Sequence, residues 1–172
     1  MNFKKPNLEY KEYKMINQPS PTFSKEISSS LNTKKAILYL TLAKTIAEES
    51  YCVRLKVGAL IVKEDNIISY GYNGTISGAP NQCEYVDDNG NLVTLPTVLH
   101  AESNAITKAC KSTISTKDAT LYCTHSCCVE CAKLIIQSGI TRFVYLEDYR
   151  DMSGINLLLK SGIEVFKPIL EK

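Results

Sequence analysis

The chain changes character near residue 32. Upstream, residues 1–31 carry Pro6, Pro19 and Pro21, a run of serines at 28–30 and scattered charges, with no apolar period. That composition predicts a poorly packed extension, and a domain proper over 32–172. From Asn32 the apolar positions become regular. Ile37, Leu40, Ala43 and Ala47, flanked by Leu38, Leu42 and Ile46, form a wide stripe at helical spacing. Asn32 or Thr33 can cap this helix, which runs to about Ser50. Val57–Val62 is a short, β-branched apolar run and Ile67–Tyr72 is another, so the turn between them predicts a hairpin.

Residues 73–98 break the pattern. Gly74, Gly78, Gly90, Pro80 and Pro96 stand there among Asn and Asp, which predicts a long functional loop. Beyond it the period switches back and forth. A helix from about His100 to Lys111 is followed by a strand over Ala119–Thr124 and a helix over Cys128–Ser138, stopped by Gly139. Arg142–Glu147 is a strand, Gly154–Ser161 a helix ended by Gly162, and Ile163–Phe166 the last strand. The order predicts an α/β fold in three layers, a five-stranded mixed sheet with helices on both faces.

Composition narrows the function. The 172 residues suffice for one packed domain, with 44% hydrophobic and 22% charged residues. A net charge of +2, from 20 basic and 18 acidic residues, argues against a polynucleotide partner but allows a small phosphorylated ligand. No apolar run is long enough for a membrane span or a signal peptide, so a cytoplasmic location is expected. Seven cysteines, an odd number without a secreted spacing, then read as metal ligands or buried thiols.

One of the only two histidines opens His100-Ala101-Glu102, and Cys128-Val129-Glu130-Cys131 follows at a helix start. Alone, a C-x-x-C could be a redox pair, and Glu102 a carboxylate favouring a helix dipole. Together, in this order, they match the H-x-E and C-x-x-C signature of zinc-dependent nucleobase deaminases. A helix N-terminus favours the thiolates that bind metal. His100, Cys128 and Cys131 supply three ligands and leave a tetrahedral position open, the arrangement of a catalytic zinc. Glu102 then serves as the proton carrier. Cys127 precedes Cys128 where the signature has proline; the two-residue spacing selects Cys128 as ligand and leaves Cys127 as a packed neighbour. Cys52, Cys83 and Cys110 read as separate buried thiols rather than a second zinc site, and His125 as a pocket wall.

The likeness is wider than that signature. Arg54–Val62 (RLKVGALIV), Gly71–Gly78 (GYNGTISG), His100–Ile106 (HAESNAI), Thr120–Ile135 and Glu147–Asp151 (EDYRD) resemble the dCMP deaminases, a branch of the zinc-dependent cytidine and deoxycytidylate deaminases that includes late-competence operon and phage proteins. The resemblance implies a hydrolase that turns dCMP into dUMP and ammonia for thymidylate synthesis. It implies Asn73 at the sugar, the Ala101 N–H at the base oxygen, and Tyr149 with Lys111 or Arg54 at the phosphate. It also implies one catalytic Zn2+, allosteric control by dCTP and dTTP, Mg2+ accompanying an effector nucleotide, and a homohexamer. The alternatives are another cytosine nucleotide, or a base in tRNA or single-stranded DNA.

Overall fold

The computed structural model describes residues 13–15 and 33–168. Helix α1 (Thr33–Ala47) leads into the hairpin β2 (Gly58–Lys63) and β3 (Asn66–Tyr72). Glu64 and Asp65 make the two-residue turn with φ of 49° and 63°, the left-handed pair that matches the twist of a tight hairpin. Helix α2 (Ala101–Ala109), β8 (Thr120–His125), α3 (Val129–Gln137), β9 (Arg142–Glu147), α4 (Ser153–Lys160) and β10 (Glu164–Pro168) follow. Strands β8, β9 and β10 run parallel, β2 is antiparallel to β8, and β3 antiparallel to β2. This is the expected five-stranded mixed sheet. A further strand, β1 (Tyr13–Met15), pairs antiparallel with β10 and makes the order β1-β10-β9-β8-β2-β3. It comes from the stretch expected to pack poorly; residues 1–12 and 16–32 lie outside the described residues.

Alternation along buried strands sends neighbouring residues to opposite layers. Leu60, Val62, Tyr122, Val144, Leu146 and Phe166 meet Ala36, Tyr39, Leu40 and Ala43 of α1. Ala59, Ile61, Leu121, Cys123, Phe143, Tyr145 and Val165 face α2, α3 and α4 through Ala105, Ala132, Ile135, Ile155 and Leu158. His100 and Glu102 stand at the start of α2, and Cys128 and Cys131 at the start of α3, on this second layer.

Two helices on that layer approach so closely that only glycine fits beneath them. A Cβ on Gly71 would stand 2.5 Å from the Ala101 carbonyl oxygen and the Ala105 nitrogen of α2. A Cβ on Gly154, at the start of α4, would collide with the Cys127 carbonyl oxygen and lie 2.7 Å from that of Cys128. The sheet edge and α4 thus fix the starts of α2 and α3.

The segment 73–98 is not the structureless loop its composition suggested. It folds into two small antiparallel pairs, β4 (Gly74–Thr75) with β7 (Val98–Leu99), and β5 (Glu84–Val86) with β6 (Leu92–Thr94). Strands of two or three residues carry no readable alternation, which is why composition alone missed them. The reading of Cys52, Cys83 and Cys110 as separate buried thiols is also corrected. The fold-back brings Cys83 onto the turn after α1, where it forms a disulfide with Cys52, while Cys110 is exposed. Among the described residues no helix is long and apolar enough to cross a membrane.

Candidate active site

His100 is the N-cap of α2 and Cys128 the N-cap of α3, with Cys131 in the first turn of the latter. Both helices point their unsatisfied N–H ends at one spot. His100 Nδ1 lies 3.4 Å from the sulfur of Cys128 and 3.4 Å from that of Cys131. The three donor atoms all fall within 4.8 Å of one another. Bonds of about 2.3 Å to sulfur and 2.05 Å to nitrogen give a tetrahedral N–S edge of about 3.6 Å, so the set fits zinc. Cys127 is fully buried, outside this set, and burial holds its thiol far up in the protonated form.

The electrostatics follow from the packing. The hydrogen bond from Cys131 draws the Cys128 thiol down to about 3, against burial and with help from His100. The same bond, with burial, drives Cys131 up. Its hydrogen bond with Cys128 lifts His100 above the ordinary imidazole value while burial opposes it. Glu102, on the first turn of α2, is 4% exposed, and burial raises its carboxyl to about 7.

A cavity of about 350 Å³ opens over these groups. Of its lining, Ala101 and Glu102 are buried, Cys128 is half-buried and His100 exposed; Arg54, Arg150 and the half-buried Tyr149, all on loops, form its rim. Ala101, the first residue of α2, offers one of the N–H groups that a helix start leaves without an intrahelical acceptor. Asn73 lines the wall, with its Oδ1 accepting the Val57 N–H at 2.7 Å and its Nδ2 donating to the Leu55 carbonyl at 2.8 Å. His125 forms another part of the wall, half-buried, with burial lowering its pKa. The Tyr149 N–H is held by Ser126 Oγ at 2.7 Å.

Lys111 does not join this group. It lines a second cavity with Lys108, Tyr72 and Asn104. The cause is length: Lys111 lies past the far end of α2, about 15 Å along the axis from His100. Two rim residues escaped the sequence reading. Arg150 stands beside Tyr149, its guanidinium 5.4 Å from that ring, and adjacency to Tyr149 within EDYRD was the available signal. Glu84 lines the cavity from β5 and had no signal, being one acid in a polar stretch.

A three-layer fold with a His-Cys-Cys set at two helix N-termini and a buried glutamate beside it defines a zinc deaminase of nucleobases. The model of the cytidine and deoxycytidylate deaminase zinc-binding region matches residues 33–147, and the chain belongs to that family. Among its relatives, the deoxycytidylate deaminase of Enterobacteria phage T4 is 35% identical, over 77% of this chain and 89% of that protein. The human deoxycytidylate deaminase is 35% identical, over 78% of this chain and 79% of its own length. A crystal structure of the dCMP deaminase of cyanophage S-TIM5, in complex with dCMP and dUMP, superposes with a TM-score of 0.75 at 40% identity; it covers 80% of this chain and 99% of that one.

Proposed function

We propose that this chain hydrolyses dCMP to dUMP and ammonia. The observation that carries this reading is one cavity whose lining joins Glu102 and two members of the metal set, His100 and Cys128, to the exposed cations Arg54 and Arg150. A pyrimidine placed beside Glu102 would leave its phosphate to the cations at the rim. The base alone would leave the rim unused.

When bound, zinc supplies Lewis-acid chemistry that makes water a nucleophile near neutral pH. The protein does the rest. Glu102 takes a proton from the attacking water and gives it to N3 of the ring, then takes the second proton of that oxygen and gives it to the amine, which leaves as ammonia. The Ala101 N–H donates to the base oxygen, held in place before the reaction begins. Asn73 keeps its wall in shape and turns its remaining amide hydrogen to the sugar. Tyr149, Arg54 and Arg150 take the phosphate.

All these residues lie within 32–172, which we assign as the catalytic unit, in a cytoplasmic enzyme with one zinc per chain. Cys52 and Cys83 are joined to each other, so a second ion has no part in this reading. The family resemblance extends the proposal to a homohexamer controlled by dCTP and dTTP, with Mg2+ accompanying the effector; sedimentation with each nucleotide tests it. The activity itself is tested by ammonia release from dCMP, dCTP, cytidine and a tRNA oligonucleotide. Turnover of dCMP well above the other three supports the reading, and preference for the oligonucleotide overturns it.

A further inference from the structure

The outer wall of the cavity rests on a carboxylate that zinc chemistry does not use. Glu84 begins β5 and is 8% exposed. Its Oε1 accepts the N–H groups of Val53 and Arg54, each at 3.2 Å, and its Oε2 shares the Val53 N–H at 3.2 Å. Across the β5–β6 hairpin its register partner is Thr94. Thr94 Oγ1 in turn accepts a hydrogen bond from the Arg54 guanidinium at 2.9 Å. A single rung of the hairpin therefore holds Arg54 at both ends, Glu84 by its backbone and Thr94 by its head group. The Cys52–Cys83 disulfide joins the same two segments next to this rung.

Residues 53 and 54 lie in no helix or strand, and both are exposed. An arginine there would ordinarily sample many rotamers and lose that freedom on binding an anion. We propose that Glu84 is a positioning residue: with Thr94 it sets Arg54 at the rim before substrate arrives, and so makes the enzyme prefer a nucleotide to the nucleoside. This rests on the reading of Arg54 as a phosphate contact. It also explains a buried acid in a cavity built for an anion. The carboxylate points at two N–H groups, and its role is that of an acceptor.

The test uses the zinc-loaded full chain and its Glu84→Ala, Glu84→Gln and Thr94→Val variants. Zinc content, dCMP binding by calorimetry, and kcat and KM for dCMP and deoxycytidine are measured on each. Glu84→Ala should weaken dCMP binding and raise its KM about tenfold. Its kcat, its zinc content and its kcat/KM for deoxycytidine should stay near those of the parent. Glu84→Gln keeps an acceptor oxygen of the same reach and should restore most of the affinity; Thr94→Val should show a smaller loss of the same kind. Equal losses on dCMP and deoxycytidine, an unchanged dCMP affinity in Glu84→Ala, or a Gln variant as weak as Ala overturns the proposal. A parent chain that binds dCMP without turnover sinks the assigned activity instead, and the calorimetry still reads the role of Glu84.

Discussion

The metal set and the rim of the cavity are built by opposite means. At the metal set, Glu102 and Cys131 are almost wholly buried, and the starts of their helices press on Gly71 and Gly154 with no room for a methyl group. At the rim, Arg54 and Arg150 are exposed and stand on loops, and a short hairpin, a disulfide and a few hydrogen bonds hold Arg54. Proton transfer and attack depend on placement to within about 1 Å. Attraction of a phosphate by a cation falls off slowly with distance and tolerates a looser mount. Chemistry and selectivity thus sit on separate supports, and they should fail separately.

The sharpest break comes at the metal. Cys128→Ser should lose zinc and all measurable ammonia release, whereas Cys127→Ser should keep the metal. Metal analysis of the two variants checks this, and the reverse ranking would shift the ligand register by one residue. Next is the packing beneath it. Gly154→Ala drives a methyl group into the carbonyl oxygens of Cys127 and Cys128, so α4 or the ligand loop must move. Denaturant unfolding should show a loss of about 3 kcal/mol, at the upper end for overpacking, together with lost zinc affinity.

At the rim, Cys52→Ser opens a link that spans 31 residues of chain. A loss of about 2–4 kcal/mol is expected under oxidising conditions. Zinc content should be unchanged and KM for dCMP raised, which separates this variant from the two above. The smallest effect lies at Asp148, which neighbours Tyr149 in the chain but does not line the cavity. Lys167 donates to Asp148 and is the main reason its carboxyl sits below the ordinary range; the Tyr145 hydroxyl adds a bond at 3.1 Å. A depressed folded-state pKa gives stability that is complete above the ordinary carboxylate range and lost as pH falls through the folded value. Asp148→Asn should therefore cost about 1 kcal/mol or less at neutral pH, since the pair is partly exposed to solvent. The difference from the parent should vanish in acid, as thermal melts across pH would show.

The same contrast governs what could be read in the sequence. Strand β9 runs over Arg142–Glu147 as its apolar pattern implied, because the layers on both sides bury it and leave a continuous signal. The sulfurs of Cys128 and Cys131 and the ring of His100 meet where the spacing put them, since helix starts fix such geometry locally. The rim was less legible. Strands β5 and β6 are three residues each, and pairing of Cys52 with Cys83 depends on how the intervening chain folds back. Lys111 follows the His100 motif and Arg150 stands within EDYRD, yet Arg150 lines this cavity and Lys111, past the far end of α2, lines another.

On the proposed function Glu102 moves the protons while other residues hold the metal and the substrate. The Glu102→Gln variant tests it, with zinc content, dCMP affinity and ammonia release measured on one preparation. Gln keeps the size of the side chain and one acceptor, yet it cannot take a proton from water or return one to the ring and the amine. The variant should hold full zinc, bind dCMP with affinity close to that of the parent, and turn it over about 10⁴-fold more slowly or worse, the upper end for general acid–base transfer. A variant with full zinc and near-normal turnover would contradict it.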